Sequence, residues 1–222
     1  MVVAGAGIVG LALSPTIVFA APRLVRSRFD PPPDTLPTRV LVPLIGVRDA
    51  GAHKAQGLLV EIATAFVLAG LAFHETTWQR LAVTAAFSFW FLAIAYIDLK
   101  YRLVLNTMSY PGIVLALAAS ALWLGTGAAW AFAGAAAALV LFAFLQFVGR
   151  GALGTGDTKL AVLIGALVGF PAVFETLFLG MLLGGFGAAF QLIVLRRSRK
   201  STIPYAPYLA AAAILSIFFI RP

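Results

Sequence analysis

Eight apolar runs, at 2–21, 58–73, 81–97, 109–124, 130–148, 158–170, 173–195 and 205–220, fill most of the 222 residues. A bilayer core about 30 Å thick takes roughly 20 apolar residues of helix to cross. Backbone exposed to lipid must satisfy its own polar groups, which a helix does within one segment. The pattern therefore predicts an all-α, polytopic membrane protein of about eight transmembrane helices. Charged residues make up 11% of the chain, against about a quarter in a soluble domain. A separate soluble domain does not fit. Several runs are short for a straight span, so their helices are expected to extend into the flanking loops. Pro171 is expected to divide the sixth run from the seventh, because the residue before a proline disfavours helix.

Charge sets the orientation. The first run ends in Phe19-Ala20-Ala21, a small-residue pattern like a signal-peptide cleavage site. It has no basic segment before it, however, and Arg23, Arg26 and Arg28 come after it. That order predicts a retained first helix with its N-terminus outside. Eight spans then leave the C-terminus outside as well. With this arrangement, all of the 16 Lys and Arg except Arg80 and Arg221 fall in cytoplasmic loops. The net charge of +8 is thus read as topology and as attraction to anionic lipid headgroups, not as a nucleic-acid surface. The whole of 1–222 is read as a single transmembrane domain, with 23–57 as a cytoplasmic loop. Asp30-Pro31-Pro32-Pro33-Asp34 within that loop cannot be helix interior.

Several chemistries are excluded. The chain has no cysteine, so it has no disulfide, no thiolate metal site and no cysteine nucleophile. His53 and His74 lie in different loops, and His74-Glu75 lacks a third ligand, so no metal site is expected. No cofactor is expected either. Neither Gly-x-Ser-x-Gly nor His-Glu-x-x-His occurs.

What remains is a pair of aspartates. Asp98 ends the third span as it reaches the cytoplasmic face, and Asp157 opens the sixth as it leaves that face. Topology alone puts both carboxylates at one depth. Acids at the edge of a membrane are costly, and so are candidates for function. Two that meet can share a proton and activate a water. Gly154 and Gly156 precede Asp157. Glycine there permits positive φ and close approach of another chain segment. Each acid also has an ordinary reading: Asp157 as a helix N-cap, and Asp98 as an interfacial charge paired with Lys100 or Arg102. Lys159 is a candidate for pairing or substrate contact, or else a snorkelling lysine. Glu61, one turn inside the second span, is a weaker candidate for lining the site. Glu75 and Glu175 are expected at the outer face, solvated. Gly165-x-x-x-Gly169 and Gly180-x-x-x-Gly184 allow close helix packing, within the bundle first and in a homodimer as a lesser option.

Taken together, these residues resemble the type IV prepilin peptidases, a branch of the Gly-x-Gly-Asp intramembrane aspartyl proteases. Gly154-Thr155-Gly156-Asp157-Thr158-Lys159-Leu160 is similar to the second aspartate motif of that family. Ile97-Asp98-Leu99, with Leu105-Asn106 and Pro111, is similar to the first. Leu58-Leu59-Val60-Glu61 resembles its Leu-Val-Glu stretch. Ile203-Pro204-Tyr205-Ala206-Pro207 resembles the Ile-Pro-Phe-Gly-Pro-like opening of its last helix. The resemblance implies a bacterial inner-membrane endopeptidase. It implies cleavage of the short basic leader from type IV prepilin or pseudopilin precursors at the cytoplasmic face, with Asp98 and Asp157 catalytic.

The chain also departs from the family. Many members carry two Cys-x-x-Cys pairs that bind zinc in the first cytoplasmic loop, and 23–57 has none. The Gly-Ser-Phe-Leu-Asn-like element of the first helix is replaced by Gly10-Leu11-Ala12-Leu13-Ser14-Pro15. These departures weigh against N-methylation of the product and leave the peptidase. Two readings of other classes stand beside it. One is a transporter or channel that uses the aspartates as proton or cation sites. The other is a catalytically silent scaffold for pilus assembly.

Overall fold

The computed structural model describes residues 24–25, 52–75, 77–149, 153–193 and 204–219, with backbone alone at 52–61, 74, 191 and 192. The first apolar run and residues 23 and 26–51 of the expected 23–57 loop lie outside the described residues, while 52–57 are helical rather than loop. Those described form seven helices and no strand: α1 (Ala52–His74), α2 (Trp78–Tyr101), α3 (Asn106–Leu122), α4 (Ala128–Val148), α5 (Thr155–Val168), α6 (Ala172–Ile193) and α7 (Ala206–Phe219). Each lies on one of the second to eighth apolar runs, with its ends shifted by a few residues. Among the described residues, three stretches are long and apolar enough to cross a membrane: α2, α4 and Ala172–Phe190 of α6. The chain is a membrane protein built from helices.

It divides into two compact units, Met1–Tyr96 and Ile97–Pro222. In the first, α1 buries Thr64, Val67, Leu68 and Leu71, and α2 buries Thr84, Phe87, Ser88, Phe91 and Ile94. Both sets follow the three-and-four spacing of a single helix face. Thr84 returns its hydroxyl to the Arg80 carbonyl at 2.8 Å, so a polar side chain is accommodated on an apolar face. Glu75, expected to be solvated, is half-buried and lies 4.0 Å from the Arg80 guanidinium. Glu175 is exposed as expected.

In the second unit α5 is the central helix and touches α3, α4, α6 and α7. Leu160, Ala161, Leu163, Ile164, Gly165, Ala166 and Leu167 are all buried. A helix that is apolar all round belongs inside a bundle. Its 14 residues reach only about 21 Å at 1.5 Å per residue, less than a bilayer core. Two glycines allow α4 and α5 to cross backbone to backbone. A Cβ at Gly134 would collide with the Gly165 carbonyl oxygen, and one at Gly165 with that of Gly134. Ser120 of α3 donates to the Ala166 and Leu167 carbonyls, each at 2.9 Å. These are among the last carbonyls of α5, which have no partner within their own helix. Pro171 separates α5 from α6, as the sequence predicts. On α6, Gly180 faces Leu209 and Ala212 of α7, while Thr176 and Ser216 share a 2.7 Å hydrogen bond across the same pair. Both Gly-x-x-x-Gly stretches therefore serve packing within the unit.

Candidate functional site

Asp98 lies in the last turn of α2 and is only 6% exposed. The expected pairing with Lys100 or Arg102 is not how it is held. Its Oδ2 accepts the Ala206 backbone N–H at 3.2 Å. Ala206 opens α7, where the first N–H groups of a helix have no intrahelical acceptor and carry partial positive charge. Arg102 acts on the carboxylate electrostatically, and Lys100 lies over the Tyr101 ring, 5.5 Å from its centroid.

The chain leaves α2 abruptly. Arg102 has φ of 52°, a left-handed conformation unusual for a residue with a Cβ. Its N–H still bonds the Asp98 carbonyl at 2.8 Å. The turn sends Val104 toward the start of α5, where a Cβ at Gly156 would lie 2.8 Å from the Val104 Cβ. The second glycine of the motif is there because the two segments touch.

Gly154 is the N-cap of α5, with φ of −71°. The sequence allowed positive φ at Gly154 and Gly156. Among the described residues positive-φ glycines occur instead at 125, 127 and 169. Here the motif uses the small size of glycine. Asp157 is the third residue of the helix, not its cap, and the Gly154 N–H is near enough to its carboxylate to favour the charged form. A Cβ at Gly154 would sit 3.2 Å from Asp157 Oδ2, so any side chain there crowds the acid.

Asp157 lies ahead of the apolar segment 158–170. Burial first, and then the negative charge of Asp98, push its carboxyl up to about 6, while the Gly154 N–H works the other way. The two acids, 59 positions apart in the chain, thus lie within electrostatic reach of one another. Tyr205, just before Ala206, feels the Asp157 charge too.

Lys159 completes the first turn. Its ammonium donates to Asn106 Oδ1 at 2.6 Å and lies 5.1 Å from the centre of the Tyr110 ring. Its hydrogen-bond partner is thus a neutral amide. The bond ties the start of α5 to the start of α3. Glu61 lies in α1, and its side chain is outside the described residues. Among the described residues no group of three or more His, Cys, Asp or Glu could hold a metal. Sequence reasoning missed the Ala206 N–H and the Val104 contact. The prolines at 204 and 207 mark a helix start but do not say which acid that start will meet.

Both acids, the turn between α2 and α3 and the glycines of α6 fall within residues 85–189. That segment matches the type IV leader peptidase family. The likeness to that family lies in this segment. Relatives include a prepilin leader peptidase/N-methyltransferase of Aeromonas salmonicida, 34% identical over 177 residues, covering 76% of this chain and 60% of that protein. Those of Aeromonas hydrophila and Pseudomonas aeruginosa, which carry the same name, are 32% and 29% identical, each over 72% of this chain and 57% of theirs. The chain thus spans less than two thirds of the length of these relatives. No solved structure matches it.

Proposed function

We propose that this chain is an intramembrane aspartic endopeptidase that removes the basic leader from type IV prepilin or pseudopilin precursors. It acts at the cytoplasmic face of the bacterial inner membrane, with eight spans and both termini outside. Asp98 and Asp157 are the catalytic pair. The observation that carries this reading is that the two acids, in one compact unit, lie within electrostatic reach of each other, with Asp98 held by the Ala206 N–H at a helix start.

Two close carboxylates cannot both ionise cheaply, so one keeps its proton. The ionised acid takes a proton from a water between them, and the water oxygen bonds to the scissile carbonyl carbon. The carbonyl π pair moves to its oxygen, which the protonated acid supports by a hydrogen bond. The C–N bond then breaks, its electron pair stays on nitrogen, and nitrogen gains a proton from the pair. Which aspartate starts as base is a property of the coupled pair. Gly154, Gly156 and Lys159 shape and brace this site. The apolar part of the substrate packs as a helix between spans, while its basic leader is drawn to the carboxylates.

The reading is tested by co-expressing a type IV prepilin with the native chain, with Asp98→Ala and with Asp157→Ala, and following leader removal by mass. Each variant should leave the precursor uncut while remaining in the membrane. Full processing by either one refutes the pair.

A further inference from the structure

We propose that the Tyr205 phenol is a third catalytic group of this site, donating a hydrogen bond to the scissile carbonyl oxygen as that oxygen becomes negative. The inference rests on the aspartate pair proposed above and adds a group that the pair alone does not require.

Four observations place the phenol. The residue after it, Ala206, donates its N–H to Asp98 Oδ2 at 3.2 Å, so the Tyr205 backbone is fixed beside one acid. The Tyr205 carbonyl accepts the Tyr208 and Leu209 N–H groups at 3.1 and 3.4 Å, which ties it into the first turn of α7. The ring is seated as well. A Cβ at Gly184 of α6 would collide with the Tyr205 Cε2 and sit 3.0 Å from its Cδ2, so glycine is what lets the ring lie flat on that helix. The phenol is also close enough to Asp157 to feel its charge. One rigid side chain is therefore anchored next to Asp98 and borders Asp157. It remains half-exposed, which leaves room for a substrate to reach it.

The chemistry gives this hydroxyl a use. When water adds to the peptide carbonyl, the ionised aspartate takes the proton of the water and the carbonyl π pair moves to oxygen. The protonated aspartate is then the only donor the pair can offer that oxygen. A phenol, with an ordinary value near 10, keeps its proton at neutral pH and supplies a second donor. No proton leaves Tyr205 at any step. A fixed donor aimed at developing charge stabilises the transition state more than the ground state.

The test is Tyr205→Phe in the full chain, because phenylalanine keeps the ring on Gly184 and removes one oxygen. Purified enzyme and a prepilin substrate should show kcat lower by roughly 100- to 1,000-fold, in the range of a lost oxyanion donor. KM should stay within about twofold and thermal stability should be unchanged, since only transition-state binding is lost. Affinity for a peptide mimic with a tetrahedral hydroxyl in place of the scissile carbonyl should fall by a similar factor. Retention of kcat, or a loss matched by falling stability or by rising KM with unchanged mimic affinity, overturns the proposal. Asp98→Ala and Asp157→Ala run in the same assay. If they still cleave, the pair itself fails, whatever Tyr205→Phe does.

Discussion

Asp157→Asn should make this protein more stable and inactive at once. The Asp157 carboxyl is pushed from 3.8 to about 6 in the folded chain. One pKa unit corresponds to about 1.4 kcal/mol, so holding this acid ionised in its folded surroundings costs about 3 kcal/mol. The sign follows from proton linkage. Between about pH 4 and 6 the folded state binds more protons at this site than the unfolded state, so stability falls as pH rises. Above about pH 7 the whole cost is present, and below about pH 4 none of it is. Asparagine keeps an oxygen that can accept the Gly154 N–H and carries no charge to bury. In detergent, thermal unfolding should therefore give Asp157→Asn a midpoint higher by roughly 6–12 °C at pH 8, from about 2–4 °C per kcal/mol for a chain of this size. The gain should shrink to nothing by pH 4. Leader cleavage should be absent throughout. An equal gain at pH 4 and pH 8 would refute the electrostatic origin, and a loss of stability at pH 8 would refute the burial argument altogether.

Other perturbations read the remaining contacts. Gly156→Ala drives a methyl to 2.8 Å from the Val104 Cβ, which no rotamer change can relieve. Cleavage should fall at least tenfold, and Val104→Gly in the same chain, which removes the clashing Cβ, should recover part of it, as a double-mutant cycle will show. Asn106→Leu removes the acceptor of the 2.6 Å bond from Lys159. It should cost about 1.5–3 kcal/mol, the range for bonds to charged groups, and Lys159→Met added to it should cost little more in thermal unfolding. Ser120→Ala strips the donor from the Ala166 and Leu167 carbonyls. It should lower stability by about 1–3 kcal/mol while cleavage at permissive temperature persists.

The helices were legible because a membrane leaves an apolar chain so little choice. Runs 81–97 and 130–148 became α2 and α4 almost residue for residue. Pro171 fell between helices for the local reason that makes any proline a boundary. The Gly-x-Gly-Asp stretch was legible as the start of a helix with a carboxylate in it. What it does there was half visible. Close approach at Gly156 was foreseen, but its partner Val104 lies in a turn set by Arg102 at φ of 52°, and nothing about an arginine announces that conformation. The donor to Asp98 was invisible for a different reason. It is a backbone N–H, 108 positions along the chain, and every residue but proline carries one. Only the packing of α7 selects Ala206.

That choice of partner bears on the chemistry. A carboxylate gripped by a lysine or arginine is held ionised, and two such acids have no proton to share. Here the Ala206 N–H holds Asp98, and the Gly154 N–H lies near enough to Asp157 to favour its charged form. They supply the direction of a hydrogen bond and only a fraction of a charge. Lys159, two residues beyond Asp157, turns its ammonium to the neutral oxygen of Asn106 and to the face of Tyr110. The cation braces the helix that carries the acid without quenching it. Asp157 is left with a carboxyl near 6, close enough to neutrality for its proton to be given up and regained. An arrangement built only to bury two acids would have used the lysine to neutralise one of them. One that spends a backbone donor on position, and keeps Lys159 on a neutral partner, leaves Asp157 able to hold the proton that the proposed pair would exchange.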